Sequence, residues 1–284
     1  KKDYLVLAPL SYCFSIPFFI EFVREMINEL GDEVKIDILF FSESEPSMPR
    51  LFNHPCINLI EVSKTGKIRY FYFWLKLISL LLNKRYSASY LVSQFSMLLM
   101  SIVPSYRCGK IVYLNDEIWE VPKDAIFTKR FIKWVEQRIS SQVTAIVTQD
   151  KFRGRLVKFV NGNPNVPFIF IPNSRKRGLA DRRIISKKLG IDDDTTVLLW
   201  SGSVSSGDGC IDVVRLIAQE SENLSLILHF RSKNLDEYKS RILQFVDDKK
   251  IFYIDREFDY DNLDQLYMSA DIGICPYPNR GVNA

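Results

Sequence analysis

The sequence predicts an α/β protein with two Rossmann-like domains, each a parallel sheet covered by helices. Short apolar runs alternate with segments of helical period along most of the chain, which is the pattern of parallel strands and their covering helices. The 284 residues exceed the usual size of one domain, and the 47% of hydrophobic residues is ample for two cores. A polar, basic stretch after Pro172 interrupts the alternation, which then restarts.

In the first half, apolar runs predict strands and periodic segments predict helices. Strands are expected at 3–9, 34–42, 57–63, 88–94, 110–116, 144–149 and 168–172. Helices are expected at 17–30, 68–86, 96–103, 124–140 and 152–159, where apolar residues recur at helical spacing. We place the domain boundary at Pro172, so the first domain covers 1–172 and the second covers 173–284.

The same alternation runs through the second half. Strands are expected at 197–201, 224–230, 250–254 and 271–276, helices at 182–190 and 211–218, and helical stripes at 235–245 and 260–267. Ligands of open parallel sheets bind beyond the carboxyl ends of the strands. The active site is therefore expected in a cleft between the two domains.

A glycine-rich turn, 202–209, separates a strand from a helix in the second half. This arrangement aims free backbone N–H groups and the positive end of a helix dipole at an anion such as a diphosphate. Gly202 and Gly207 have P-loop spacing, but Asp208 stands where the P-loop lysine belongs, and the GxGxxG fingerprint is absent. The turn predicts either phosphate binding or a plain turn of a sheet, and it predicts neither an NTPase nor an NAD enzyme; no cofactor is expected.

Charge and cysteine usage exclude several classes of protein. A net charge of +4 suits an anionic ligand or membrane surface but falls short of a nucleic-acid-binding stripe, so no nucleic-acid partner is expected. The 5 cysteines are far apart with no CxxC, which favours buried thiols in a cytosolic protein. His54 and His229 cannot form a spaced metal pair, and His229 is expected to be a buried or strand-end residue; no zinc is expected.

The ends of the sequence also carry expectations. No signal peptide is visible, and no apolar run reaches the roughly 20 residues of a membrane span, so a soluble or peripheral protein is expected. The sequence stops at Ala284 without the helix that would cover its last strand, so we expect the natural chain to continue.

The run 64–86 combines aromatic and basic residues. Phe71, Tyr72 and Trp74 stand among lysines and arginines, which is the composition of a helix in an anionic membrane interface. A helix that is apolar nearly all round is usually buried between neighbours, and this alternative is slightly favoured.

Four segments resemble the GT-B glycosyltransferases. Residues 171–174 are similar to the hinge before their donor domain, and 187–203 to the strand and glycine turn that follow it. Residues 252–279 are similar to the part that builds the nucleotide pocket, and 134–150 to the helix and strand before the hinge. The chain most resembles the large retaining family of bacterial polysaccharide and lipopolysaccharide sugar transferases, of the glycosyltransferase family 4 type.

The resemblance implies a nucleotide-diphosphate-sugar donor held by the second domain. The expected donor-binding residues are Gly202, Ser203, Arg231, Arg256, Glu257, Phe258, Pro276 and Tyr277. Small residues at the glycine turn let backbone N–H groups reach the diphosphate, and the Arg231 guanidinium matches phosphate oxygens in pairs. The loop 256–258 would receive the base, and Pro276 and Tyr277 would face the sugar. The alternative for each of these residues is an ordinary place in a turn or loop with no role in binding.

Asp116 and Glu117 are the expected catalytic pair. They follow an apolar strand on the acceptor side, where adjacent carboxylates can orient or deprotonate a sugar hydroxyl; an N-cap role for Asp116 is the alternative. The aspartate triplets 192–194 and 259–261 imitate a manganese motif, but we place the first in a loop and the second at a helix cap. No metal is expected, because backbone dipoles and cations can stabilise a leaving diphosphate.

Three departures separate this chain from the family pattern. Asn115 stands where many members carry a donor-contacting histidine, Ser206 and Asp208 replace basic residues, and the paired-glutamate motif is absent. The expected function is transfer of a sugar, with retention, to a saccharide or lipid-linked saccharide in cell-surface polysaccharide synthesis. The alternatives are a nucleotide-sugar epimerase and an inactive sugar-nucleotide-binding partner subunit.

Overall fold

A computed structural model shows two compact units, Lys1–Arg175 and Lys176–Ala284. The residues that it describes are 2–9, 14, 16–31, 33–42, 48–63, 66, 68–103, 105–115, 118, 127–172, 183–202, 210–220, 223–230, 242, 244–245, 250–254, 258 and 262–274. Each unit is built around its own parallel sheet.

The first unit contains a seven-stranded parallel sheet. Its strands are β1 (Lys2–Ala8), β2 (Val34–Phe41), β3 (Ile57–Val62), β4 (Ala88–Val92), β5 (Lys110–Asn115), β6 (Val143–Thr148) and β7 (Phe168–Phe170). Its helices are α1 (Pro17–Leu30), α2 (Ile68–Asn83), α3 (Ser93–Met100), α4 (Phe127–Ser140) and α5 (Lys151–Val160). The strand order is β3-β2-β1-β4-β5-β6-β7, so the direction of winding reverses between β1 and β4.

Helices α2 to α5 share one face of this sheet. Their apolar side chains join one core cluster with alternate strand residues such as Leu5 and Leu91. Helix α1 covers the opposite face, because its Phe22 packs edge-on against Tyr90 at 5.0 Å between ring centroids, and Tyr90 alternates with Leu91 along β4. Both faces of the sheet are therefore covered.

A closed polar cluster lies inside the first unit, in the middle of β2. The Asp37 carboxylate accepts hydrogen bonds from Asn58, Lys84 and Tyr86 at 2.7, 2.7 and 2.8 Å. Burial raises the pKa of Asp37, but these three hydrogen bonds and the charge of Lys84 outweigh it and hold the pKa below its ordinary value. Burial and the bond to Asp37 raise the pKa of Tyr86 far above its usual range, so its hydroxyl stays a donor.

The second unit contains a four-stranded parallel sheet. Its strands are β8 (Thr196–Gly202), β9 (Leu224–Phe230), β10 (Ile251–Ile254) and β11 (Ile272–Gly273), in the order β10-β9-β8-β11. The helices are α6 (Ile184–Lys188), α7 (Cys210–Glu220) and α8 (Leu263–Tyr267). One core cluster, around Trp200, packs against α7, and another, around Leu199, packs against α6 and α8.

The predicted fold class is confirmed. The structure differs at the boundary of β4: the sequence predicts a strand over 88–94, but β4 ends at Val92 and α3 begins at Ser93. Polar Ser93 and Gln94 stand between the apolar residues of β4 and those of α3, but no glycine or proline separates the two elements, so the hydropathy pattern does not locate the change from strand to helix.

Two smaller expectations are also met among the described residues. Cys56 and Cys108 are buried, and burial raises the pKa of the Cys108 thiol to about 11. His229 is a buried residue of β9. Among the described helices, none is both long and apolar enough to cross a membrane.

Candidate functional site

The carboxyl edge of the second sheet holds the described part of the expected donor site. Strand β8 ends at Gly202 and β9 at Phe230, and these two residues pair directly in the register of the strands. The sheet reverses its winding between β8 and β11, which makes the end of β8 the place where an open sheet binds a ligand. Gly202 therefore lies at the edge where a ligand of an open sheet is expected.

A hydrogen-bonded pair braces this edge. Ser201 Oγ lies 2.9 Å from His229 Nδ1 across the β8–β9 pair. The half-buried Phe258 ring meets the His229 ring edge-on at 5.2 Å between centroids and packs on the second core cluster. The structure thus brings Phe258 and Gly202 to one edge. The roles of Phe258 and Gly202 in donor binding stay predictions.

The other expected donor residues lie outside the described residues. They are Ser203, Arg231, Arg256, Glu257, Pro276 and Tyr277. The expected catalytic pair, Asp116 and Glu117, also lies outside them, directly after the last residue of β5.

A buried polar network braces the carboxyl end of β5 in the first unit. Asn115 Nδ2 donates to the Tyr113 hydroxyl at 3.1 Å, and that hydroxyl donates to Glu136 on α4 at 2.9 Å. Glu136, which is 1% exposed, also accepts hydrogen bonds from Lys133 at 2.8 Å and from Asn161 at 3.1 Å. The network orients the amide of Asn115, the residue that stands in place of the family's histidine.

Sequence reasoning missed Ser93, the first residue of α3. Its φ of 70° lies in the left-handed region, which serine rarely adopts, and its side chain is 3% exposed. Its hydroxyl has no hydrogen-bond partner in the structure of the described residues. Strain of this kind costs about 1–3 kcal/mol and an unsatisfied buried hydroxyl about 1–3 kcal/mol. The available signal is the polar trio Ser93, Gln94 and Ser96 inside an apolar run.

A cavity of about 360 Å³ in the second unit lies away from these edges. Arg183, Lys187, Asp193 and Asp271 line it. Arg183 donates to the carbonyl oxygen of Thr195 and to Asp271, whose carboxylate also accepts the backbone N–H of Val197. The cavity therefore lies at the amino end of β8, and these contacts fasten α6 to the sheet.

The described residues offer no obvious metal site. Among them, His, Cys, Asp and Glu side chains do not gather in groups of three or more. Asp192–Asp194 lie in the loop between α6 and β8, as predicted, and the triplet 259–261 lies outside the described residues.

Comparisons with known proteins give a likeness in structure and none in sequence. No protein-family model matches the chain, and no curated protein matches it. Anabaena HepE, solved with UDP and glucose, is 13% identical with a TM-score of 0.68 over 96% of this chain and 73% of its own. Sucrose-phosphate synthase from Thermosynechococcus elongatus is 12% identical with a TM-score of 0.70 over 100% of this chain and 78% of its own.

A third solved structure is the lipopolysaccharide outer core galactosyltransferase WaaB. It is 10% identical with a TM-score of 0.59 and covers 95% of this chain and 72% of its own. Each likeness extends over both parallel sheets. The chain has the fold of the GT-B glycosyltransferases that its sequence resembles.

Proposed function

We propose that this chain transfers a sugar from a nucleotide-diphosphate donor to a saccharide or lipid-linked saccharide, with retention and without a metal, in cell-surface polysaccharide synthesis. The observation that carries the proposal is the likeness of both units, together, to structures such as HepE with UDP and glucose and the galactosyltransferase WaaB. In the same proposal, 1–172 is the acceptor-side domain and 173–284 is the donor-binding domain. The protein acts in the cytoplasm.

The edge of the second sheet supports donor binding there. Gly202 ends β8 at the reversal of winding, where a diphosphate can approach the backbone closely because glycine has no side chain. The Ser201–His229 bond holds the ends of β8 and β9 in place. We assign Ser203, Arg231, Arg256, Glu257, Phe258, Pro276 and Tyr277 to the donor, and Asp116 and Glu117 to the acceptor hydroxyl.

Thermal unfolding with nucleotides tests the proposal. UDP, GDP and ADP and their glucose conjugates are each added to the protein, and the cognate donor raises the Tm because it binds only the folded state. At 100 times Kd the gain is about 2.7 kcal/mol. A donor that binds and is converted without an acceptor indicates an epimerase, and one that binds without turnover indicates a partner subunit. A flat response to every nucleotide refutes the donor site.

Replacing Arg231 by alanine tests the cationic clamp. A charge-assisted hydrogen bond contributes about 1.5–3 kcal/mol, so calorimetry with the cognate donor is expected to show affinity reduced at least tenfold, with little change in Tm. Arg215→Ala is the matched control, because Arg215 lies on α7, half exposed and 3.7 Å from Asp212. Equal donor affinity in the Arg231→Ala variant and the parent would remove Arg231 from the site.

We also propose that the run 64–86 contacts an anionic membrane. Helix α2 buries Phe73, Leu77 and Leu81 in the core of the first unit. Its other face exposes large apolar side chains, namely Ile68, Phe71, Tyr72, Leu75 and Leu82. The expectation that this helix is buried between neighbours is therefore wrong, because only one side of it is covered.

Liposome co-sedimentation tests this contact. Phe71→Ser with Leu75→Ser is expected to lower binding to anionic vesicles, because exposed aromatic and aliphatic groups insert at the headgroup boundary. Leu216→Ser is the control, since Leu216 is equally exposed on α7 in the second unit. If binding does not change with lipid charge, salt or the paired substitution, the proposed contact between α2 and an anionic membrane is wrong.

A further inference from the structure

The start of α3 lies where the first sheet offers a ligand site. Strands β1 and β4 are neighbours, and the winding of the sheet reverses between them. The reversal opens a crevice at the carboxyl ends of these two strands, because the connections that follow them leave on opposite faces. Ser93 directly follows Val92, the last residue of β4.

The first turn of α3 is tied to both strand ends. Ser96 Oγ lies 2.8 Å from the carbonyl oxygen of Leu7 on β1 and 2.5 Å from that of Val92. Val92 pairs with Leu114 on β5, so Ser93 and Asn115 emerge side by side from neighbouring strands. These contacts hold Ser93 in place despite its unfavourable backbone.

Ser93 is strained and unsatisfied at the same time. Its φ is 70°, and its hydroxyl is buried without a partner in the described part of the chain. Helix α3 has no side-chain cap at its N-cap, Val92. No hydrogen bond in the described part of the chain compensates for the strained backbone or the buried hydroxyl of Ser93. Backbone strain of this kind, maintained by the surrounding structure, is typical of functional sites.

The chemistry of the position suits an anionic oxygen. The first N–H groups of a helix have no partner within the helix, and its dipole places positive potential there. Helix α3 contains no charged residue of its own. The Arg69 guanidinium adds positive charge at the same edge, 4.7 Å from the ring centroid of Phe41, the last residue of β2.

We propose that the start of α3 is an anion subsite in which the Ser93 hydroxyl donates a hydrogen bond to a phosphate or carboxylate oxygen of the acceptor. The assignment of that anion to the acceptor rests on the proposed function. The subsite itself rests on the geometry of the first unit. An entering oxygen supplies the partner that the hydroxyl lacks.

Two substitutions at Ser93 separate binding from folding. Ser93→Ala removes the hydroxyl and keeps the left-handed backbone, whereas Ser93→Gly removes the hydroxyl and relieves the strain. Ser140→Ala is the matched control, because Ser140 is 1% exposed and its hydroxyl also lacks a partner among the described residues, but it lies at the end of α4.

The full chain is first saturated with UDP and then titrated with inorganic phosphate. Phosphorus NMR measures the phosphate that is bound. The parent is expected to bind phosphate with UDP present, and both Ser93 variants are expected to bind it at least fivefold more weakly. Ser93→Gly is expected to raise the Tm by a few degrees. Acetate in place of phosphate distinguishes a carboxylate site from a phosphate site.

Phosphate affinity that is equal in Ser93→Ala, Ser93→Gly and the parent would overturn the subsite. Binding of methyl glucoside without binding of phosphate or acetate would also overturn it. If UDP does not bind but phosphate binds in a Ser93-dependent way, the proposed transferase function fails while the subsite stands. Ser93→Gly keeps the test decisive if Ser93→Ala does not fold.

Discussion

The carboxyl edges of the two sheets differ in how their buried polar groups are satisfied. At the edge of the second sheet, Ser201 and His229 bond to each other, and Phe258 packs against the His229 ring. At the edge of the first sheet, Asn115 Nδ2 donates into a buried network, whereas Ser93 beside it is strained and its hydroxyl has no partner among the described residues. The first four strands of each unit lie side by side in the same order, β3-β2-β1-β4 in the first sheet and β10-β9-β8-β11 in the second.

The difference indicates how each edge is suited to a ligand. Where side chains satisfy one another, as Ser201 and His229 do, we expect the edge to act as a rigid frame and a ligand to contact the backbone. Where a buried hydroxyl lacks a partner, as at Ser93, we propose that the ligand itself completes the hydrogen bonding. We therefore expect substitutions in the satisfied groups to change stability and those at Ser93 to change binding.

The largest effect is expected at Glu136, which accepts three hydrogen bonds in the buried network at the first edge. Removing one partner of a buried ion pair leaves the other charge uncompensated, so Glu136→Ala is expected to lower the free energy of unfolding by about 3–5 kcal/mol. Lys133, Tyr113 and Asn161 all lose an acceptor. Urea unfolding measures the loss, with Lys129→Ala on the exposed face of α4 as the control.

If Glu136→Ala lowers the free energy of unfolding by less than about 1 kcal/mol, the network does not stabilise the first edge. The contrast between the Glu136 network and Ser93 would then disappear.

The next effect is expected at His229 in the second unit. His229→Leu keeps a similar volume but leaves Ser201 without its partner, which costs about 1–3 kcal/mol. Combining it with Ser201→Ala is expected to recover part of that loss, because the unsatisfied hydroxyl is removed too. Additive losses of stability in this double-mutant cycle would show that the two side chains are not coupled. The second edge would then, like Ser93 at the first edge, contain buried polar groups that do not stabilise each other.

Strand positions were predictable from sequence because apolar runs of four to eight residues between turn signals identify buried parallel strands. Gly202 and His229 were placed correctly at or near strand ends for that reason. Ser93 was not, since no glycine or proline marks the point where β4 passes directly into α3. The Tyr113–Glu136–Asn161 network was also out of reach, because its hydrogen-bonded pairs are 23 and 25 residues apart and meet only in the fold.

The exposed face of α2 shows the same limit in another form. Its composition predicted an apolar helix correctly, but it did not reveal which residues pack. Phe73, Leu77 and Leu81 face the core, while Phe71 and Leu75 face outward, and this depends on how the helix is rotated over β2 and β3. Composition therefore left the buried and the membrane alternatives open.

The smallest effect is expected at Asp37, whose closed cluster lies away from either edge. Hydrogen bonds from Lys84, Asn58 and Tyr86 outweigh burial and lower the folded-state pKa of Asp37 below that of the unfolded chain. Its stabilisation is therefore fully present above the unfolded pKa of about 4 and is lost as pH falls through the lower folded pKa. At pH 7, Asp37→Asn is expected to cost about 1 kcal/mol, since the Lys84 side chain is 35% exposed and its charge is partly screened.

The difference between Asp37→Asn and the parent is expected to shrink as unfolding is measured at pH 7, 4 and 3, because protonated Asp37 loses the same interaction that the substitution removes. Donor and phosphate binding at pH 7 are expected to stay unchanged, since the cluster is satisfied and touches neither edge. A gap that stays constant with pH would mean that the carboxylate is not held ionised by its partners. Altered phosphate binding would mean that polar groups far from Ser93 affect binding at the first edge. Whether a buried polar group has a hydrogen-bond partner would then not distinguish groups that stabilise the fold from groups that bind a ligand.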